Sequence, residues 1–232
     1  MHSVWSDGAQ TIEEMAKAAV NLGHQYILIT DHAGHLKIAN GLDEKRLIQQ
    51  MREIDRVNSK LKKIHILKGA EVDILPDGRL AIKDDVLSQL DIVIASVHSN
   101  FKMGKESMTK RISRAICNPH VDIIGHPTGR IIQRRPGYQV DWPRVFKIAK
   151  ENKTALEVNA YPDRLDLPDV IIKQAIKAGV KLTISTDSHS ITHLNYLFLG
   201  IAQARRGWAT KEDILNTRSL KDLLAFFKNK KA

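Results

Sequence analysis

The run 180-VKLTISTDSHS-190 carries a buried-strand pattern straight into Asp187, Ser188 and His189. A hard carboxylate and an imidazole two residues apart at a strand end are what a divalent metal site needs. The same junction recurs at 27-ILITDH-32, 67-LKGAEVD-73, 92-IVIASVHS-99, 121-VDIIGHP-127 and, more weakly, 155-ALEVNAYP-162. With His2 and Asp7, the candidate ligands are His2, Asp7, His32, Glu71, His98, His126, Asp187 and His189. Eight ligands are too many for one ion and enough for two or three. Imidazole and carboxylate without thiolate select zinc, manganese or iron, not a structural cysteine site. A carboxylate such as Glu71 or Asp187 can bridge two ions ~3.5–4 Å apart, an arrangement that activates water and clamps the attacking and leaving oxygens of a phosphoester. One histidine at a strand end is ordinarily a hydrogen-bonded core or loop residue; five in matching positions change that reading. His24, His65 and His120 have such ordinary readings, at a helix end, a strand start and a loop. His35 and His193 lie three and four residues beyond His32 and His189, where they can support the ligands.

These side chains meet only if the strands bearing them run side by side in one direction. The apolar runs predict strands near 25–30, 64–72, 91–97, 121–126, 154–159 and 181–186, mostly without polar alternation, as in parallel strands covered on both faces. Amphipathic patterns predict helices near 11–22, 43–60, 105–117, 141–152 and 167–178 between them, and a mostly helical tail over 191–232 with breaks at Gly207-Trp208 and Thr210. Thr11 and Glu14 form a capping-box pattern, and Gly23 and Gly179 stand where helix-ending glycines belong. In a closed α/β barrel the reactive residues stand at the carboxyl ends of the strands, where every group named above falls. Six strands close a barrel awkwardly, and His2 followed by SVWSDG and a helix reads as the end of a strand whose body is absent.

Unbroken strand-helix alternation over 232 residues favours one α/β domain spanning 1–232. The single cysteine, Cys117, has no partner for an internal disulfide and fits a reducing compartment. The first residues lack a basic stretch followed by an apolar run, and no segment approaches ~18 uninterrupted apolar residues, so a cytoplasmic protein without membrane association is expected. A net charge of +10 and a pI of 9.7 point to a polyanionic partner, nucleic acid first, against the plainer reading that lysines solvate helix faces. Arg130, Arg134 and Arg135, closely following His126, and the pair Arg205 and Arg206 are the more telling cations.

The segments HSVWSDG (2–8), TDH (30–32), GAEVDIL (69–75), SVHS (96–99), GHPTGR (125–130), EVNAYPDRLDL (157–167) and STDSH (185–189) resemble the successive motifs of the polymerase-and-histidinol-phosphatase (PHP) superfamily. RRPGY (134–138) and ARRGW (204–208) are most similar to the carboxyl-terminal PHP domain of bacterial and archaeal family X DNA polymerases. The resemblance implies a distorted seven-stranded (β/α) TIM-like barrel holding two or three divalent ions, manganese, zinc or iron, with strand one truncated in this chain. It places His2, Glu71 and Asp187 on one ion, Asp7, His32 and His189 on a second, and Glu71, His98 and His126 on a third. It implies a manganese-favouring 3′–5′ exonuclease or 3′-end-processing activity of the DNA-repair type, with Glu71, His98, His126, Asp187 and His189 acting through bound metals on single-stranded DNA or 3′ ends. The family motif D-L-H-x-H-S begins here at x, occupied by Met1, so one imidazole and strand one are expected to be missing, and a polymerase domain upstream in a longer protein is implied.

Arg130 is the first candidate for gripping a phosphate, with Lys102, Arg134 and Asn159 behind it; the plainer reading of Arg130 is a structural ion pair. Trp5 has two readings, a base-stacking ring or core packing, whereas Trp142 and Trp208 read as structural. Two rival functions stand beside the nuclease. One is a small-molecule phosphomonoesterase such as a histidinol-phosphate phosphatase, which needs the same metals but gains little from the basic surface. The other is a non-catalytic domain that binds DNA or stabilises a polymerase, which the retained ligands speak against.

Overall fold

The computed structural model describes residues 1–34 and 36–228. Its strands are β1 (Tyr26–Ile29), β2 (His32–Ala33), β3 (His65–Asp73), β4 (Ile92–Ser96), β5 (Ile123–Ile124), β6 (Ala155–Asn159) and β7 (Leu182–Ser185). The helices are α1 (Ile12–Asn21), α2 (Glu44–Lys60), α3 (Asp84–Leu87), α4 (Lys105–Ile116), α5 (Trp142–Glu151), α6 (Asp169–Ala178), α7 (Leu197–Arg206) and α8 (Leu220–Lys228). All strand pairs are parallel, in the order β1-β3-β4-β5-β6-β7, with β2 pairing β3 through His32 opposite Glu71. The sheet curves as a half-barrel, and every strand delivers its carboxyl end to one rim. All six strands and five helices expected from the patterns are present, within two residues at their ends. The two-residue β2, the four-residue α3 and a 3-10 turn over Lys37–Ala39 were not expected, being too short to show a period. The tail divides into 3-10 turns at Ile191–Tyr196, Lys211–Asp213 and Leu215–Thr217 around α7 and α8.

Local chemistry explains the boundaries. The Thr11 hydroxyl accepts from Glu14 N–H and the Glu14 carboxylate accepts from Thr11 N–H, so the capping box that opens α1 is formed. Gly179 ends α6 at φ +84°, a left-handed conformation that costs glycine little. Asp91 and Asp122 tie neighbouring strands at their amino ends by accepting from the N–H groups of Lys68 and Val93.

Alternation along the strands separates two faces. Ala95, Ile124, Leu156 and Val158 pack outward into a core with Met108, Ile112, Val145 and Ile172 of the surrounding helices. Leu67, Ile92, Ile94, Ile123 and Ala155 face the other way, into a cluster completed by Leu215, Leu223 and Phe227 of the tail. Continuing that register two residues at a time reaches Glu71 on β3, and Glu157 and Asn159 on β6. The inner face is therefore apolar where the strands begin and polar where they end.

β1 and β7 are the two ends of the strand order, and a cavity of about 480 Å³ lined by Leu28, Leu67, Ile94, Ile184 and Phe227 lies between them. Met1 and His2 span the rim above it: Thr30 N–H donates to Met1 O at 2.8 Å and His2 N–H to Ser188 O at 2.8 Å. Lower down, the Asn216 amide satisfies both backbone groups of Ile184. On α4, Arg111 is 1% exposed and its guanidinium donates to Ser99 O and Ile74 O, fastening the segments that leave β4 and β3. Among the described residues no helix is long and apolar enough to cross a membrane.

Candidate metal centre

Six of the expected ligands stand at or near strand carboxyl ends, His2 and Asp7 come from the loop before α1, and the structure brings all eight together. Glu71, 5% exposed, lies at the middle. One carboxylate oxygen, Oε1, faces His126 Nε2 at 2.9 Å and His98 Nε2 at 3.3 Å; the other, Oε2, faces His2 Nε2 and His32 Nδ1, each at 3.5 Å. Asp187 Oδ1 lies 3.0 Å from His2 Nε2, and Asp7 lies 3.5 Å from His189 Nε2, 3.8 Å from His32 Nε2 and 3.9 Å from His2 Nδ1. The rings run in a continuous chain, His189 to His2 at 4.1 Å, His2 to His32 at 4.4 Å, His32 to His98 at 5.0 Å and His98 to His126 at 5.2 Å between centroids.

Among the described residues, three groupings hold donor atoms close enough for one ion: His2, Asp7, His32 and His189; His32, Glu71 and His98; and His2, Glu71 and Asp187. The last is the expected first set, and the first is the expected second set with His2 added. In the remaining one His32 replaces His126, which nonetheless keeps its 2.9 Å approach to Glu71. The fit of divalent cations to this donor set rests on orphaned nitrogens: His2 Nδ1, His32 Nδ1, His98 Nε2 and His126 Nδ1 are buried without a hydrogen-bond partner among the described residues. A buried polar atom is seldom left unpaired unless something else takes its lone pair.

The backbone is bent to make this arrangement. His126 and Asp187 have φ of +28° and +50°, left-handed conformations that direct their side chains inward where the strands end. His126 N–H is held at 2.6 Å by Glu157, whose carboxyl is pushed up to about 8 by burial and by the charges of Asp187 and Glu71. Burial alone would raise Glu71 and Asp187, yet the surrounding imidazoles hold both well below the usual carboxylate range. Burial lowers His32 to about 4. His98 goes the other way: burial opposes its charge, but Glu71 and Asp73 outweigh it and raise the imidazole to about 9.

Three carboxylates escaped the sequence reading. Asp31 is fully buried and accepts from Ser3 N–H, Ser3 Oγ, Ser6 N–H, Ser6 Oγ and Gln50, which fixes the loop presenting His2 and Asp7. Asp73 lies 2.6 Å from His98 Nδ1, leaving Nε2 directed at Glu71. Glu157 holds His126, as described. Their signal was present in the register: Asp73 lies two residues beyond Glu71 on the same strand face, and Glu157 two before Asn159. Carboxylates hydrogen-bonded to the far nitrogen of a ligating histidine are worth 10- to 100-fold in metal affinity. Accordingly, Asp73→Asn weakens divalent-ion binding by roughly that factor, read by competition with a coloured chelator, while the folded circular dichroism spectrum is retained. Unchanged affinity would mean that Asp73 does not orient His98.

The structure places the four expected phosphate-binding residues as follows. Arg130 does not reach the pocket: its guanidinium donates to Arg164 O at 2.8 Å and to Leu165 O, so it anchors that turn. Asn159 is 1% exposed and its amide is spent on Asp187 and Glu157. Lys102 is exposed and outside the pocket lining, and Arg134 is exposed with Asp163 at 3.8 Å. Among the described residues, the lysine or arginine that does enter is Arg164. It lines a pocket of about 260 Å³ with Asp7, His32, Glu71, His98, His126, Asp187 and His189, lies 3.4 Å from Asp187, and has a buried Nη1 without a partner. Arg164 belongs to the 157–167 segment but lies five residues past the strand, beyond the reach of a strand-end pattern.

Trp5 is not a free stacking ring: its indole donates to Glu53 and it packs on the cores under α1 and α2. Trp142 stacks on Phe146, whereas Trp208 is 74% exposed beside Lys173. His193 Nδ1 accepts from His189 N–H, the supporting place expected for it, and His35 lies outside the described residues.

The PHP domain model matches residues 1–161. The chain is 51% identical over 228 residues to the DNA polymerase/3'-5' exonuclease PolX of Bacillus subtilis (strain 168), covering 98% of this chain but only 40% of that protein's length. It is 33% identical over 227 residues to a protein named "Probable phosphatase" in Thermoanaerobacter sp. (strain X514), covering 93% of this chain and 88% of that one. The crystal structure of histidinol phosphate phosphatase from Lactococcus lactis, complexed with zinc, L-histidinol and phosphate, superposes with a TM-score of 0.63 at 15% identity, covering 89% of this chain and 91% of that one; at such identity the likeness is one of fold.

Proposed function

Because the chain belongs to the PHP domain family, we propose that residues 1–232 form a metal-dependent phosphoesterase acting on DNA, a manganese-favouring 3′–5′ exonuclease or 3′-end-processing phosphodiesterase. The observation that carries this reading is the 260 Å³ pocket, in which the imidazole and carboxylate donors face the unpaired guanidinium nitrogen of Arg164. Cation-binding atoms opposite a fixed cation define a place for a group bearing several anionic oxygens, as a phosphoryl group does.

His2, Asp7, His32, Glu71, His98, His126, Asp187 and His189 would hold two or three manganese, zinc or iron ions. Bound there, such ions supply Lewis-acid polarisation of the phosphoryl group and ready deprotonation of an attacking water. The chain's own residues supply the rest. Arg164 grips non-bridging oxygens and fixes the phosphorus over the donor set. Arg130 holds the turn that carries Arg164. Asp73 retains the proton on His98 Nδ1, so that Nε2 presents its lone pair. Glu157 and Asn159 hold the His126 backbone and Asp187 in place.

DNA is favoured by the +10 charge and by the 51% identity to a polymerase-exonuclease, of which this chain spans two fifths. In a longer protein of that kind, a polymerase domain upstream would share the substrate. The relatives named as phosphatases and the small pocket favour a second reading, hydrolysis of a small phosphomonoester such as histidinol phosphate. Incubation with manganese and a 5′-labelled single-stranded oligonucleotide decides between them. We expect stepwise loss of 3′ nucleotides, abolished by chelation. Hydrolysis of p-nitrophenyl phosphate with an intact oligonucleotide would transfer the assignment to the monoester reading.

A further inference from the structure

Just past the metal-ligand candidates that follow β7 stands a group of rings outside both the hydrophobic core and the donor set. Tyr161 follows β6, while His193 and Tyr196 lie on the 3-10 turn Ile191–Tyr196 after His189. His193 and Tyr196 stack with centroids 5.1 Å apart and planes 19° apart. Tyr161 stands across both, 5.3 Å from His193 at 84° and 5.6 Å from Tyr196 at 86°. None of the three belongs to a hydrophobic core cluster, all are partly exposed, and neither tyrosine hydroxyl has a hydrogen-bond partner among the described residues. Phe198, 64% exposed, and Ile191, 41% exposed, extend the apolar character of the same segment.

The corner is joined to the chemistry on both sides. His189 N–H donates to His193 Nδ1 at 3.3 Å. Tyr161 O accepts from Arg164 N–H at 2.8 Å, and Tyr161 N–H donates to Asn159, whose amide holds Asp187. One turn of chain thus presents both the cation that faces the phosphoryl group and a ring of the corner. Aromatic faces take up the planar faces of bases with little regard to sequence, as an enzyme that shortens any strand requires.

We infer that Tyr161, His193 and Tyr196 seat the terminal nucleobase of the substrate while its 5′-phosphate lies at Arg164 and the metal centre. The inference rests on the phosphoesterase reading and names the part of the substrate next to the phosphate. Its test is a binding measurement, so it does not depend on turnover. Isothermal titration of the manganese-loaded chain compares 2′-deoxyadenosine 5′-monophosphate with 2-deoxyribose 5-phosphate, which lacks the base. Stacking predicts about tenfold tighter binding of the nucleotide. That ratio falls toward one in Tyr196→Leu and is restored in Tyr196→Phe. Equal affinities in the unsubstituted chain, no binding of either compound, or a ratio that Tyr196→Leu leaves unchanged would each overturn the assignment, as would tighter binding of L-histidinol phosphate than of the nucleotide. The first of these needs no variant and stands even if Tyr196→Leu fails to fold. A nucleotide preference that Tyr196→Leu removes, with no cleavage of oligonucleotides, would defeat the nuclease reading and leave the base seat standing.

Discussion

Replacing Glu71 with glutamine empties the centre of metal and lowers kcat by at least about 10³-fold, the scale of losing a preorganised electrostatic group from an active site. The two carboxylate oxygens divide the site: Oε1 addresses His98 and His126, and Oε2 addresses His2 and His32. Glutamine keeps the volume but replaces one anionic oxygen with an amide NH₂, which has no lone pair for a cation and turns donor hydrogens toward imidazoles. The charge is lost as well, and removing one partner of a buried ion pair, here Glu71 beside the protonated His98, costs roughly 3–5 kcal/mol. Metal content after dialysis and turnover on the preferred phosphoester are the two readings; a variant retaining both metal and turnover within tenfold would remove Glu71 from the centre. A pH signature accompanies the substitution. In the metal-free chain the His98 imidazole, raised to about 9 by Glu71 and Asp73 against the effect of burial, holds a proton that an incoming ion must expel. Apparent metal affinity therefore climbs as pH rises toward 9, by up to about tenfold per unit for each proton released. Without the Glu71 charge that proton leaves at lower pH, and whatever affinity remains levels off earlier.

The candidate ligand set was legible because strand-end positions are marked twice, by the apolar run before them and by the change of residue type at its close. His32, Glu71, His98, His126, Asp187 and His189 all follow that rule, and a parallel sheet then forces them together. The helices were legible for the same reason, since period and caps are local. What the pattern could not show is how guanidinium groups divide their work. Arg130 and Arg164 both occur in motif-like segments, and spacing favours Arg130, three residues after His126. Their roles are decided by a contact 34 residues apart in sequence, in which Arg130 spends its donors on the carbonyl of the residue that reaches the pocket. The aromatic corner was hidden similarly, because Tyr161 and Tyr196 are brought together by the return of the chain after β7. β2 and the buried Asp31 escaped because two residues carry no period and because Asp31 precedes a histidine that claimed the notice.

Arg164→Ala lowers kcat/KM by roughly 10²–10³-fold, as expected for removing a charge-assisted phosphate contact from a partly desolvated site. Arg164→Lys recovers only part of this, because an ammonium cannot reproduce a planar fork on two oxygens. Arg130 gives the sharper test. If it acted on the substrate directly, its loss would multiply with that of Arg164. Its guanidinium instead donates to the carbonyls of Arg164 and Leu165, so Arg130→Ala frees the turn and misplaces a residue whose own side chain is intact. The expected result is that Arg130→Ala alone costs about tenfold or more by misplacement of the reacting group. The double variant is then no slower than Arg164→Ala, the non-additivity of residues that act through one another. An additive double variant would return Arg130 to the substrate, and full activity in Arg164→Ala would leave the pocket without its phosphate anchor. Inorganic phosphate as a competitive inhibitor adds a readout independent of turnover: its inhibition constant rises in both single variants and rises no further in the double. A turn that merely needed Arg130 for stability would lower the melting temperature without moving that constant.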